Sequence, residues 1–230
     1  MSVSVSVIVP VGPDEPELPV LLGQLHMLPA GWQVIIALCP ESEHLAPLAE
    51  QSASAEMIIA PRGRAQQMNA AVELATGEYL WFLHVDSVLT PEGVAALLEA
   101  LQSKPQELLY YRLRFSRDGS GPTWLNAFSA NLRSRWLGVP FGDQAFCLPR
   151  VTFLKVGGYR EDLPYGEDHV LVWHLRLVGV PLQMLPASLE TSARKYRAKG
   201  WVKLTLLYQW YWLRQAAPYA CRLLRKKLLD

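Results

Sequence analysis

The run Tyr79-Leu80-Trp81-Phe82-Leu83 ends abruptly in His84-Val85-Asp86. Five apolar or aromatic residues in a row predict a strand buried on both faces. A carboxylate at the exit of such a strand stands where open α/β sheets bind ligands, beyond the carboxyl ends of the strands. A hard divalent cation carrying phosphates takes oxygen ligands of that kind. The feature points to a nucleotide-using transferase, although an Asp after a strand is also an ordinary turn or N-cap residue. Residues i and i+2 of an extended segment point the same way, so His84 shares the side of Asp86. It suits a second metal ligand, a donor to phosphate or a packed core histidine.

Three more clusters belong to the same mouth. Arg62-Gly63-Arg64-Ala65-Gln66-Gln67-Met68-Asn69 puts two guanidinium groups at a helix N-terminus, where free N–H groups already favour an anion. Arg also grips phosphate in bidentate fashion. Positive charge there opposes the helix dipole, so a merely solvated face should avoid it. The loop Pro10 to Glu15 follows the first strand, where a nucleotide base or ribose commonly lies; a plain connecting loop is the alternative. Gly166-Glu167-Asp168-His169 opens an amphipathic helix. First-turn acids favour any helix, yet an Asp facing the cation site is placed to act as general base on an acceptor hydroxyl. Gly142-Asp143-Gln144 sets polar groups between apolar strands, suited to ordering a loop or binding an acceptor.

The elements that position these residues follow from periodicity. Val3 to Val9, Val34 to Leu38, Met57 to Ala60 and Tyr79 to Val85 read as strands, with Pro10 stopping the first. Helices fit Leu18 to Leu28, Leu45 to Ala53 and Ala65 to Ala75. Thr90-Pro91-Glu92 supplies an N-cap, an N1 proline and a first-turn acid for another. Strands alternating with helices mean an α/β fold, Rossmann-like, with a mostly parallel sheet flanked by helices and right-handed crossovers. The second half is less regular. Strands are predicted at Leu108 to Phe115, Ala145 to Leu148 and Leu182 to Leu185. A helical turn is predicted at Phe153 to Val156, and helices at Trp124 to Leu137, Glu167 to Val178 and Trp201 to Ala216, the last broken by Pro218. The change of character falls near residue 116, dividing one continuous domain into halves 1–115 and 116–230.

At 230 residues the chain can bury a proper core. A formal net charge of +1 excludes wholesale nucleic-acid binding. No apolar run reaches the roughly 18 residues of a membrane-spanning helix, and the N-terminus has no basic region before its apolar stretch. Cys39, Cys147 and Cys221 are far apart and odd in number, which fits reduced thiols in a cytosolic protein and no zinc site. The helix bearing Trp201, Leu204, Leu207, Tyr208, Tyr211 and Trp212, with its basic tail, has the amphipathic character of interfacial helices. Contact with the inner face of a membrane, packing on the sheet and a homodimer contact all stay open. The basic stretch Thr191 to Lys199 reads as a lid over a diphosphate or as a solvated loop.

Taken in order, Ser-Val-Ile-Val-Pro-Val, Gly-Arg-Ala-Gln-Gln-Met-Asn-Ala, Gly-Glu-Tyr-Leu-Trp-Phe-Leu-His-Val-Asp-Ser, Gly-Asp-Gln, Gly-Gly-Tyr and Gly-Glu-Asp resemble the family 2 glycosyltransferases of GT-A fold. More narrowly the chain resembles a bacterial-type branch with Leu-His-x-Asp at the metal motif and Thr-Ser-x-Arg later, here Thr191-Ser192-Ala193-Arg194. The resemblance spans about residues 3 to 215. It implies a nucleotide-sugar donor, of UDP or GDP type, a Mn²⁺ or Mg²⁺ ion, and a second half with C-terminal helices that binds an acceptor the sequence does not name. By it Asp86 binds the cation, with His84 in place of the first Asp of Asp-x-Asp. Asp168 is the base of inverting transfer, flanked by Glu167. Pro10, Val11 and Arg64 fall on positions lining the nucleotide; Glu15, Arg62 and Asn69 are further candidates for the nucleotide sugar, and Asp143, Gln144, Glu167 and Arg194 for the acceptor or its loops. Cys39-Pro40-Glu41-Ser42 stands where the family usually has an Asp for the uracil. Gly12-Pro13-Asp14-Glu15 stands where it usually has Asn-Glu. A degenerate binding or scaffold protein of the same fold is the rival from another class. A nucleotidyltransferase is disfavoured, because the loop after strand one is acidic.

Overall fold

Along the first strands, side chains alternate between two apolar layers. The computed structural model describes residues 3–13, 15–50, 55–103 and 105–229. Strands β1 (Val5–Val11), β2 (Gln33–Leu38), β3 (Ala55–Ile59) and β4 (Tyr79–Phe82) run parallel in the order β3-β2-β1-β4. Val5, Val7, Val9 and Val11 join Val34, Ile36, Leu38 and Trp81 on one side, under α1 (Leu18–Gln24) and α4 (Pro91–Gln102). Ile8, Ile35, Ala37, Leu80 and Phe82 form the other, under α3 (Arg64–Leu74) and α7 (Glu167–Leu177). The period of two thus fills both faces, as a covered parallel sheet requires. Gln67 of α3 donates to the carbonyls of Val11 and Ala37 at 2.8 and 2.7 Å, fastening α3 to the upper ends of β1 and β2.

The sheet continues through β7 (Cys147–Pro149), β6 (Leu108–Phe115) and β8 (Leu182–Thr191) to β5 (Ser87–Val88) at its far edge. β7 is antiparallel to β4 and β6, and β6 is parallel to β8. β5 has two residues, antiparallel to β8, pairing Ser87 with Thr191 and Val88 with Glu190. The chain leaves β4, passes through His84 to Asp86 and reaches the opposite edge, so the sheet curls around those residues. Helices α2 (Ala46–Glu50), α5 (Thr123–Leu137), α6 (Arg150–Lys155), α8 (Arg194–Lys199) and α9 (Trp201–Leu229) complete the fold.

Several boundaries differ from those the sequence predicts. β1 continues through Pro10 to Val11. The Ile8 carbonyl faces β4, where it accepts from Leu83, so by alternation the missing N–H of Pro10 faces that side too, beyond the last β1–β4 pair at Ile8 and Phe82. β4 stops at Phe82 rather than Val85, and β8 runs six residues past Leu185 because β6 and β5 pair with it there. Residues 194–199 form helix α8 instead of a loop. Pro218 does not break α9. Arg214, Ala217, Pro218 and Cys221 all lie on the exposed side, where water can take the freed carbonyl, while Ala216, Tyr219 and Ala220 pack against Val139 and Trp173. Asp14 and the predicted end of the second helix at Ala53 lie outside the described residues.

Gly77 sits against the β1 backbone, and a Cβ there would lie 2.5 Å from the Ser6 nitrogen and 2.7 Å from the Val5 carbonyl carbon. Gly77→Ala should therefore lower stability by about 2–3 kcal/mol in urea unfolding, the cost of overpacking against groups that cannot rotate away. Wild-type stability in that variant would show that β4 can shift off β1 freely.

Candidate functional site

Arg64 begins α3, just after Gly63, whose φ of 136° admits only glycine comfortably. Its Nε donates to Glu167 at 2.8 Å. The side chain is 44% exposed, and that exposed part faces a walled cavity of about 320 Å³. Burial opposes the charge on Arg64, but Glu167, Asp168 and Asp143 outweigh it and hold the guanidinium firmly protonated. The same fields separate the two adjacent acids. Burial pushes the Glu167 carboxyl above its usual range, with the charge of Asp168 adding to it. Burial also acts on Asp168, yet Arg64 and two backbone N–H groups prevail and hold that carboxyl below its usual range. Those groups are Gly142, donating to Oδ2 at 2.5 Å, and His169, donating to Oδ1 at 2.8 Å. Asp168 is thus an ionised carboxylate in a cavity that also holds the Arg64 guanidinium, an arrangement fit to accept a proton.

His84 and Asp86 line the same cavity. Thr191, brought over by β8, donates to Asp86 Oδ1 at 3.1 Å. Burial, reinforced by Arg64, lowers the His84 pKa to about 4, so the ring is neutral and able to ligate. A Cβ on Gly142 would lie 3.0 Å from Asp168 Oδ2 and 3.3 Å from His84 Nε2, so a bare glycine lets these two groups share one corner. Among the described residues no group of three or more His, Cys, Asp or Glu could hold a metal unaided. A Mg²⁺ or Mn²⁺ ion completed by diphosphate oxygens and water needs one or two protein ligands, and the pair His84 and Asp86 fits that need.

The remaining walls come from helices of the second half. Asp143 faces the cavity, and burial raises its pKa to about 6, with Asp168 adding to the rise and Arg133 opposing it. Arg133 of α5 lies 3.6 Å over the Phe141 ring and donates to the Val139 carbonyl at 2.9 Å. Lys195 and Tyr196 of α8, and Tyr208 and Trp212 of α9, close the space. His169 fastens α9 there. Its Nε2 accepts from Trp173 Nε1 at 2.8 Å, which leaves Nδ1 to donate to Gln215 at 2.9 Å. Sequence reasoning missed Arg133 and Tyr208 as wall residues, and it reached Lys195 only as part of the basic stretch Thr191 to Lys199, where it singled out Arg194 as the site residue.

Other predicted site residues stand outside this cavity. Arg194 donates to both Glu15 and Glu17, strapping α8 to the loop after β1. Asp118, which the sequence marks only as a turn residue, accepts from Ser192 Oγ at 2.5 Å and the Ala193 N–H at 2.8 Å, holding the approach to α8. Arg62 is exposed and pairs with Glu41 at 3.2 Å, in the turn after β2. Asn69 is engaged by Tyr159 through both its amide atoms and donates to Glu161 as well, which ties α3 to the Gly157-Gly158 turn. Gln144 is buried, donating to the Tyr111 carbonyl at 2.8 Å and accepting from Ser134 at 2.7 Å, and so fixes the loop that carries Asp143. Pro10 and Val11 are buried at the end of β1.

The family model described as "Glycosyl transferase family 2" matches residues 6–160. No curated protein matches the chain. Among solved structures, TarS of S. aureus aligns with a TM-score of 0.64 at 15% identity, over 82% of this chain and 36% of TarS. Its segment 1–349 in complex with UDP-GlcNAc gives 0.65 and 15%, over 82% and 58%. The same segment in complex with UDP gives 0.65 and 16%, over 82% and 60%. This chain spans less than two thirds of each of those chains, and at such identity the likeness speaks to the fold, which is GT-A.

The unfolded ring of His84 protonates near 6.5 and the folded ring near 4. The unfolded state binds the extra proton first, so this contribution to stability is complete above pH 6.5 and is lost as pH falls toward 4. In the metal-free protein, the ring-carbon NMR shifts of His84 should stay those of neutral imidazole from pH 8 down to pH 5. Titration near 6.5 would contradict the enclosed environment described above.

Proposed function

This chain belongs to glycosyl transferase family 2, and from that premise we propose that it moves a sugar from a nucleoside diphosphate donor to an acceptor hydroxyl, inverting the anomeric carbon. The observation that carries the proposal is the single cavity shared by Asp168, Arg64, Asp86 and His84. Asp168 takes the proton of the acceptor hydroxyl. The acceptor oxygen forms its bond to C1 as the C1–O bond to the diphosphate breaks from the opposite face, and that electron pair leaves with the diphosphate. Arg64 and Lys195 offset the charge that gathers there, which is electrostatic stabilisation aimed at the leaving group. Glu167 orients Arg64 for the task. Asp86 and His84 are the residues that would hold Mn²⁺ or Mg²⁺, which supplies further neutralisation of the diphosphate when bound.

TarS binds UDP and UDP-GlcNAc in the solved structures that share this fold, which supports a nucleotide-sugar donor for this chain. The acceptor then enters from the side of α5 and α9, whose Asn126, Ser129, Tyr208 and Tyr211 line the cavity.

Two variants test this reading. Asp168→Asn should lower turnover by about 10²–10⁴, the span of a general base, with UDP affinity changed by less than about threefold. Near-normal turnover would end the assignment of the base. Asp86→Ala should remove the Mn²⁺-dependent rise in melting temperature that UDP gives by binding the native state, and an unchanged rise would remove Asp86 from the metal site.

A further inference from the structure

Helix α5 is inverted relative to an ordinary surface helix. Its inward side carries Ala127, Ala130 and Ser134, while its outward side carries Trp124, Leu125, Phe128, Leu132, Trp136 and Leu137. Trp124 and Trp136 are 67% and 74% exposed. Helix α9 lies beside it, joined by Trp201 Nε1 donating to Asn126 at 2.5 Å and Asn126 donating to Thr205 at 2.9 Å. It presents Val202, Leu206, Trp210 and Leu213 outward at helical spacing, with Leu206 65% and Trp210 61% exposed. Between the helices runs an apolar groove of about 540 Å³, lined by Leu132, Trp136, Leu137 and Trp212 among others. Apolar patches of this extent are interaction surfaces as a rule.

Charge decides what the surface meets. Residues 191–229 contain ten Lys or Arg and no Asp or Glu, whereas the rest of the chain has 12 basic against 21 acidic residues. Helix α5 likewise has Arg133 and Arg135 and no acid. Lys203, Arg214, Arg222 and Arg225 of α9 and Arg135 of α5 are exposed. We propose that the joint face of α5 and α9 docks on an anionic lipid bilayer, with the apolar and Trp side chains in the interfacial layer and the basic residues against lipid phosphates. A second copy of this chain is the poorer occupant, because two faces of the same strong positive charge would repel. Among the described residues no helix is long and apolar enough to cross a membrane, so the helices lie on the bilayer. The groove and the cavity share Ser129, Arg133, Gln209 and Trp212, so docking sets the acceptor entrance at the lipid surface.

The test is co-sedimentation of the full chain with vesicles of phosphatidylcholine alone, or mixed with about 30% phosphatidylglycerol to give an anionic surface. The bound fraction should be at least about tenfold greater on the anionic vesicles and should fall in high salt. Trp124→Glu with Trp136→Glu should cut it about tenfold, while Val151→Glu on exposed α6 should leave it unchanged. Quenching of tryptophan fluorescence by brominated acyl chains gives the same answer in the unaltered protein, should the double variant fold poorly. No sedimentation and no quenching would overturn the proposal. So would loss of a dimer in the double variant, seen by sedimentation velocity, without any vesicle binding by the parent chain. Vesicle binding is read without donor or acceptor, so failure here leaves the sugar-transfer reading standing.

Discussion

One guanidinium governs the top of this sheet. Arg64 stands at the positive end of α3, where a helix dipole disfavours it. What holds it there is carboxylate from the other half of the chain, Glu167 at 2.8 Å and the neighbouring charges of Asp168 and Asp143. The acids need the cation as much, since burial raises Glu167 and Asp143 and would raise Asp168 without it. Joining α3 to α7 and keeping a cation at the cavity are therefore the same electrostatic balance. Removing one partner of such a group leaves a charge unpaired in a poor solvent, which costs more than the pair contributes.

The second half holds this balance in place by long-range pairing. The two-residue β5 returns the chain from Asp86 to Thr191 at the sheet's far edge, so the rim residues after β4 and after β8 face each other. Asp118 and Arg194 then lock the N-terminal end of α8, one to the turn after β6 and the other to the acids after β1. The His169 link to Gln215 seats α9 across the remaining opening. Each contact joins residues distant in sequence, and together they give a walled space in which Coulomb interactions are stronger than in water.

The legible parts of the fold were those with local causes. Runs such as Val5–Val11 and Leu108–Phe115 announce strands by composition, Thr90 announces α4 by its side chain accepting from the Gly93 N–H, and Gly138 ends α5 in the left-handed region at φ 63°. The illegible parts had distant ones. Nothing near Ser87 specifies a strand of two residues, and β8 carries Pro186 yet extends to Thr191 because β6 lies beside it. The same division holds at the site. Arg64, His84, Asp86 and Asp168 stand at ends of elements where an α/β sheet gathers ligands, so their types and positions suggested one another. Arg133, Lys195 and Tyr208 come from three helices whose placement is set by contacts with residues distant in sequence. Arg194 and Asn69 show the converse, residues with suitable chemistry whose partners in the fold lie elsewhere.

A crystal of the protein grown with UDP and Mn²⁺, measured at the manganese absorption edge, tests the central claim directly. The account predicts an anomalous peak at the Asp86 carboxylate and the diphosphate between that ion and Arg64. UDP bound elsewhere, or an ion with no contact to Asp86, would contradict it.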